Sequence, residues 1–141
     1  MFLQDIENEL PNGFHDSVLL GIQIDFLQKK ALLRMNIWVG DSISEDESRR
    51  EEYLLVDIQL KEVSYFIIEP PKRISNEPEK ELLVDGGSSY EKLNTSCPYH
   101  CLESTGQDGG AYWFYVHQWN SFIHLAARDA KILDLSESLD A

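Results

Sequence analysis

The chain has 141 residues, with 25 acidic and 12 basic side chains and a formal net charge of −13. This length is typical of one domain, and a hydrophobic fraction of 43% argues against disorder of the whole chain. The negative charge argues against nucleic-acid binding and against anionic membrane surfaces, because both attract clustered lysine and arginine. We therefore predict one domain over residues 1–141, with an acidic tail from about residue 135.

The sequence carries no pattern typical of export or membrane insertion. No stretch approaches about 18 consecutive apolar residues, the length of a transmembrane helix. Residues 1–7 have no basic region before an apolar run, unlike a secretory signal. Two cysteines in such a chain are typical of free thiols rather than of a disulfide framework. We expect a cytoplasmic protein with no cofactor.

The first 40 residues predict a helix followed by a hairpin. Apolar residues recur at helical spacing over about residues 2–10, and Pro11 follows them. Residues 17–25 and 29–39 then alternate between apolar and polar side chains, with a short link between them. This pattern indicates an antiparallel β-hairpin. The expected buried faces are Val18, Leu20, Ile22 and Ile24 on the first strand and Ala31, Leu33, Met35, Ile37 and Val39 on the second.

The middle of the chain predicts a charged loop and one long strand. Residues 40–52 hold many charges and read as a solvated loop. A long strand is expected over residues 53–69, with a bulge near residues 61–62, where the alternation changes parity. Pro70-Pro71 ends this strand. Asp-Gly-Gly at residues 85–87 predicts a turn.

The C-terminal part contains one clear strand and one ambiguous segment. Residues 111–116 are rich in aromatic side chains and have strong β propensity. Residues 121–130 alternate as a strand would, but they also have helical spacing with Ser121 as an N-cap. We favour the strand and keep a C-terminal helix as the alternative. The whole pattern predicts a mainly β fold, an antiparallel β-sandwich or half-barrel with a short N-terminal helix.

A first candidate site is the segment Cys-Pro-Tyr-His-Cys at residues 97–101. Cys97, His100 and Cys101 are soft zinc ligands, and His117 or His124 would supply a fourth. Zinc knuckles and ribbons normally show two paired ligand clusters, whereas this segment has one. We therefore expect a loop with two free thiols and no metal.

A second candidate is the adjacent pair His15 and Asp16. A carboxylate beside an imidazole can form a proton-transfer pair. The alternative is that Asp16 stabilises a turn while His15 bonds to a neighbouring loop. Brought together with His117 and His124, this pair would form the pocket of a small ligand-binding or hydrolytic β domain. The chain has no G-x-S-x-G elbow, P-loop or H-E-x-x-H motif, which favours a non-enzymatic protein.

Aromatic side chains near the C-terminus give a third candidate. On a strand, Trp113, Tyr115, His117 and Trp119 would share one face. Such a face can act as a ligand platform, although rings of this kind more often fill a core.

A fourth candidate is the acidic surface. One group lies in the charged loop, and a smaller group lies at residues 77–81. Such charges usually keep a protein soluble, but they can also attract a basic protein partner. The expected partner-binding residues are Glu45, Asp46, Glu47, Glu51 and Glu52.

Three segments, N-G-F-H-D-S, N-I-W-V-G-D and H-Q-W-N-S-F-I-H-L-A-A, resemble small uncharacterised bacterial proteins, including small acidic immunity proteins of toxin systems. The similarity covers roughly the first 40 residues and about a dozen near the end. It implies a non-enzymatic interaction protein whose partner is a basic, toxin-like protein, and it carries over no catalytic residues. A homo-oligomer that pairs through an exposed strand edge is a further hypothesis.

Overall fold

A computed structural model describes residues 1–87 and 110–135. Within these ranges the elements are α1 (Leu3–Glu9), β1 (Ser17–Asp25), β2 (Lys30–Trp38), α2 (Glu47–Arg50), β3 (Tyr53–Ile68), β4 (Leu83–Gly87), β5 (Ala111–Val116) and β6 (Ser121–Asp134). The strands form a closed barrel in the order β1-β2-β3-β6-β5-β4, with every pairing antiparallel. The predicted mainly β fold with a short N-terminal helix is confirmed, but the sheet is a barrel and not a sandwich or half-barrel.

The lengths of two strands explain why the sheet closes. β3 has 16 residues and β6 has 14, so each can pair with two neighbours along different parts of its length. β4 then returns to β1, where Ser17 pairs with Val84 and Val18 with Leu83. Every strand in the described ranges therefore has a neighbour on both sides. β1 pairs with β4 only at Ser17 and Val18, so a homo-oligomer that pairs through an exposed strand edge stays a prediction.

The predicted hairpin is confirmed, although one strand face differs from the prediction. β1 and β2 pair as expected, and the predicted buried residues of β2 from Ala31 to Ile37 are buried. On β1, however, the register shifts between Leu19 and Gly21. Such a bulge reverses which side chains face inward. Ser17 and Leu19 are therefore buried, whereas Val18 is only partly buried and Leu20 is exposed. The prediction that Val18 and Leu20 share the inner face with Ile22 and Ile24 is wrong.

The later strands agree with most of the predictions. The expected bulge in β3 lies between Val63 and Tyr65, directly after Glu62, which has a left-handed φ of 52°. Residues 121–130 belong to β6, whose backbone bonds to both β3 and β5, so the helical alternative for this segment is wrong. The acidic tail lies outside the described residues beyond residue 135.

The predicted turn at residues 85–87 is instead the end of β4. A Cβ on Gly86 would lie 2.5 Å from the hydroxyl oxygen of Tyr112, and a Cβ on Gly87 would overlap the indole of Trp113. Glycine in a strand permits this close approach of a neighbouring residue. The two glycines therefore give the rings of β5 room against the backbone of β4, and the turn prediction is wrong.

The N-terminal helix and the turn after it complete the core. Leu3 and Ile6 of α1 are buried with the inward side chains of the barrel. Phe14 packs edge-on against Tyr112 and Phe114, with ring centroids 5.9 and 5.4 Å away. This packing fixes the turn between α1 and β1 on the barrel, and the residues after Phe14 lie in the candidate site.

Candidate functional site

Two histidines and an aspartate meet on the outer face of the barrel. Val84 faces the core, so the next residue, Asp85, points outward from β4. His15 Nδ1 lies 2.6 Å from Asp85 Oδ1, and His117 Nε2 lies 2.6 Å from Asp85 Oδ2. Both imidazoles remain accessible, since the side chain of His15 is 61% exposed and that of His117 is 41% exposed. We call His15, Asp16, Asp85 and His117 the His–Asp cluster.

Backbone contacts fix the three segments that supply the cluster. Asp16 has a left-handed φ of 53°, and its N–H donates to Asp85 Oδ1 at 3.3 Å. The N–H of His117 donates to the carbonyl of Leu83 at 2.9 Å. The side chain of Gln118 accepts from the N–H of Leu83 at 2.8 Å. The turn before β1 and the turn after β5 therefore both bond to β4. These contacts orient Asp85 toward both imidazoles.

The environment of Asp85 favours its carboxylate form. Burial raises the pKa of Asp85, but hydrogen bonds from His117, His15 and the Asp16 backbone lower it more, and the pKa lies below its ordinary value. A second carboxylate is close, because Asp16 Oδ2 lies 3.3 Å from His15 Nε2. The cluster therefore combines two imidazoles and two carboxylates, a set that can hold a cation or orient an imidazole for proton transfer.

His124 occupies a different environment from the other predicted site histidines. It is fully buried, and its Nε2 lies 3.2 Å from Glu69 Oε2. The other oxygen of Glu69 accepts from the N–H of Phe122 at 2.9 Å. The structure therefore joins His15, Asp16 and His117 through Asp85 and places His124 against Glu69.

The aromatic side chains of β5 divide between the two faces of the barrel. Tyr112 and Phe114 are buried in the core, whereas Trp113 and Tyr115 lie on the other face. On that face Tyr115 lies edge-on to His117, with ring centroids 5.0 Å apart. Trp119 lies in the turn after β5, partly buried against the core. Part of the predicted aromatic platform therefore borders the His–Asp cluster.

The charged loop is anchored to the barrel near the same cluster. We call residues 39–52 the acidic loop. Its two ends are joined by a hydrogen bond from the N–H of Val39 to the carbonyl of Glu52 at 2.9 Å. The indole N–H of Trp38 donates to the carbonyl of Arg50 at 2.8 Å, and the same indole lies edge-on to His15. The loop and the cluster thus share a neighbour in Trp38.

Side-chain contacts order the interior of the acidic loop and its start. Asn12 donates to the carbonyl of Gly40 at 2.7 Å. Asp46 caps the single turn of α2 by accepting from the N–H of Ser48 at 3.0 Å. The predicted loop therefore contains a short helix.

The predicted partner-binding residues are all exposed. The five acids lie on the acidic loop, as do Arg49 and Arg50, and Ile43 in the same loop is 88% exposed. Burial raises the pKa of Tyr53, and the carboxylates of Glu81, Asp16 and Glu51 raise it further. Tyr53, at the base of the loop, therefore experiences the negative charge of three separate segments.

Some predicted site residues lie outside the described ranges, and two residues that contact site histidines, Asp85 and Glu69, were not predicted from the sequence. Cys97, His100 and Cys101 fall within residues 88–109, which the structure does not describe. Asp85 was overlooked because Asp-Gly-Gly is typical of a turn. An apolar run directly before it, Leu82-Leu83-Val84, is the signal that indicates a strand there. Glu69 was overlooked because it is the last residue of the predicted strand, directly before Pro70.

No family model, curated protein or solved structure matches the chain. In residues 1–87 and 110–135, no helix is both long and apolar enough to span a membrane.

Proposed function

We propose that this protein is a non-enzymatic interaction protein that binds a basic protein partner through the acidic loop. The observation that supports the proposal is an exposed acidic segment that is also anchored to a rigid barrel. The segment from residue 39 to residue 52 carries six carboxylates and two arginines. Its acids project into solvent while its backbone is tied to β2 and to the N-terminal turn.

Anchoring matters because binding must overcome the cost of ordering flexible groups. An immobilised side chain costs about 0.5–1.5 kcal/mol on association, and a disordered loop adds backbone entropy to this cost. The hydrogen bonds of Trp38 and Asn12 to the loop backbone reduce that additional cost before a partner arrives. The acidic loop is thus a preorganised surface.

The loop also offers an apolar contact among its charges. Ile43 is 88% exposed, and Asp41, Glu45 and Asp46 are close to it in sequence. Protein interfaces commonly combine a central apolar contact with a polar rim. A partner with a small apolar pocket ringed by lysine and arginine is complementary to this arrangement.

The net charge of −13 supports the same partner chemistry. Opposite charges accelerate the encounter of two proteins and disfavour like-charged competitors. A basic, toxin-like protein is the partner that the resemblance to immunity proteins implies, and its charge is complementary to the acidic loop.

Charge reversal on the loop tests this function. The test variant is Glu45→Lys/Glu47→Lys/Glu51→Lys. The matched control is Glu9→Lys/Glu77→Lys/Glu79→Lys, which makes the same change in net charge at exposed residues outside the loop. Each protein is immobilised and used to capture proteins from native lysate of its source cell, with identification by mass spectrometry.

We expect the wild type and the control to retain the same basic protein at low salt. The loop variant should lose at least about 90% of it, since each close charge pair contributes on the order of 1.5 kcal/mol or more. Equal retention by the loop variant and the control, or failure of the wild type to retain a basic protein, would contradict the proposal.

A small ligand-binding or hydrolytic β domain is the second candidate function. It is favoured by the convergence of His15 and His117 on Asp85.

A further inference from the structure

We propose that the His–Asp cluster is a binding site for one divalent transition-metal ion, with His15, Asp16, Asp85 and His117 as its ligands. The inference goes beyond the proposed docking function and does not depend on it. His15, Asp16 and Asp85 each offer a ligand atom, and these three atoms lie within 4.8 Å of one another. His117 lies outside this group, but its Nε2 is 2.6 Å from Asp85 Oδ2, which places it next to the three ligand atoms.

The two nitrogens of His15 provide the strongest argument. Nδ1 lies 2.6 Å from Asp85 Oδ1, and Nε2 lies 3.3 Å from Asp16 Oδ2. A neutral imidazole carries one N–H, so it can donate to only one of these two carboxylates. At the other contact a nitrogen lone pair then faces a carboxylate oxygen. A cation between them turns that repulsive contact into two coordinate bonds.

The distances are compatible with a small ion. Ligand atoms about 2.0–2.1 Å from a tetrahedral zinc ion are about 3.3 Å apart. The separation of His15 Nε2 from Asp16 Oδ2 has this value. One imidazole gives a single ion only one nitrogen, so binding through Nε2 requires Asp85 to leave its 2.6 Å contact with His15 Nδ1 and turn toward the ion. The 2.6 Å contact between Asp85 and His117 Nε2 must lengthen by about 0.7 Å if both bind that ion. His15 and His117 are partly exposed, so their rings can make this adjustment.

The ligand types and their charge indicate which ions the site would select. Imidazole nitrogens suit zinc, copper, nickel and iron, whereas magnesium and calcium prefer all-oxygen sites. Two carboxylates with two neutral imidazoles carry two negative charges, which a divalent ion neutralises. The hydrogen bonds from Asp16 and His117 backbone groups keep the ligand-bearing segments together, as metal-site supports do.

Cobalt(II) is a suitable probe because its visible spectrum reports coordination. The segment containing Cys97, His100 and Cys101 offers a competing ligand set, so the test uses a full-length background carrying Cys97→Ser/His100→Ala/Cys101→Ser. After chelator treatment, this background is titrated with cobalt(II), and the bound cobalt is then displaced with zinc. We expect one cobalt per chain, with visible absorption typical of bound cobalt and no thiolate charge-transfer band.

Variants in the background assign the ligands. Removal of a supporting group alone weakens metal binding about 10–100-fold, so His15→Ala/His117→Ala should weaken it more than about 100-fold. Asp85→Asn, which retains the shape of the side chain, should weaken it at least about tenfold. Glu77→Ala/Glu79→Ala, the control for general binding to surface acids, should leave the affinity unchanged. Circular dichroism and thermal unfolding verify that each variant folds.

Two results would overturn the inference. One is a folded background that binds no cobalt at micromolar concentrations, which would leave a charged His15 imidazole between two carboxylates as the explanation of the contacts. The other is cobalt binding that Asp85→Asn and the double histidine variant leave unchanged. Loss of metal binding without any change in partner capture would separate this site from the docking function.

Discussion

At the scale of single residues, the outer face of the barrel depends on close approaches between side chains and backbone. Trp113 lies against Gly87, and Tyr112 approaches Gly86 from the core side. Both glycines belong to β4, the strand that carries Asp85. The position of Asp85 between His15 and His117 therefore depends on the absence of a Cβ at the next two residues.

A methyl group at Gly87 tests this dependence. In Gly87→Ala the new Cβ would overlap the Trp113 ring, so β4 or the indole must move, and overpacking of this kind costs about 1–3 kcal/mol. Gly21→Ala is the matched control, because a Cβ there meets nothing within 4 Å. Urea unfolding should show a clear loss of stability for Gly87→Ala and little change for Gly21→Ala. Equal stability of the two variants would refute the close packing of β4 against β5.

The pair formed by Arg34 and Asp57 predicts a pH dependence. Arg34 donates to both oxygens of Asp57, at 2.8 and 3.0 Å. The hydrogen bond from Arg34 lowers the pKa of Asp57 below its ordinary 3.8, although burial opposes this shift. Because the folded pKa lies below the unfolded one, Asp57 stabilises the fold above about pH 4. This contribution is lost as the pH falls through the folded pKa.

Asp57→Asn should therefore reduce the free energy of unfolding at pH 7, and the difference from the wild type should shrink below pH 4. Urea unfolding at pH 7 and at about pH 3 measures both differences. Glu79→Gln, a change at an exposed residue, serves as the control and should have little effect at either pH. A difference for Asp57→Asn that stays constant down to pH 3 would be inconsistent with the lowered pKa.

At the scale of elements, the acidic loop is ordered by few contacts. Trp38 joins the loop to the barrel through its indole N–H, and the Asn12 side chain adds a second link. Neither α2 nor the loop has a buried apolar side chain of its own, apart from the partly buried Val39 at its start. The order of this element therefore rests on hydrogen bonds rather than on packing.

Trp38→Phe removes one of these links and keeps an aromatic ring in place. A hydrogen bond of this kind contributes about 0.5–1.5 kcal/mol, so the loop should open more often while the barrel stays folded. Hydrogen exchange should become faster for the loop amides, including that of Asp41, and stay unchanged in β6. Leu27→Ala, at the exposed hairpin turn, is the control and should leave loop exchange as it is. Unchanged exchange in Trp38→Phe would mean that the indole does not order the loop.

Elements whose hydrophobic pattern is complete within one short stretch of sequence could be predicted. The hairpin of β1 and β2 follows from two alternating runs with a short link, and both strand boundaries agree within one residue. The bulge at Leu20 could not be predicted, because a run of apolar residues reads equally well in either register. β4 was overlooked because Gly86 and Gly87 serve a packing role that depends on β5.

The candidate site could be predicted only in part, because its residues come from distant parts of the sequence. His15 and Asp16 stand out as neighbours, but Asp85 lies 70 residues from His15 and 32 from His117. Their meeting results from the pairing of β4 with both β1 and β5, which is a property of barrel closure. No local pattern in the sequence encodes that contact.

At the scale of the whole molecule, the two ends of β2 differ in charge. Four basic residues lie at or near its first end together with three acids: Lys29, Lys30, Lys61 and Arg128, with Asp25, Glu62 and Asp129. The acidic loop follows its other end. Nine extended residues span about 26 Å or more, several times the screening length of about 8 Å at physiological salt. The lysines and the arginine at the first end therefore do little to cancel the attraction of the acidic loop for a cation-rich partner.

The rate of association with the captured basic partner tests the docking proposal most directly. Stopped-flow mixing at about 50 and 500 mM salt gives the rate constant for the wild type and for Glu45→Lys/Glu47→Lys/Glu51→Lys. We predict that the wild-type constant falls more than about tenfold at the higher salt and that the loop variant binds slowly at both. A rate constant that neither salt nor the loop variant changes would contradict docking through the acidic loop.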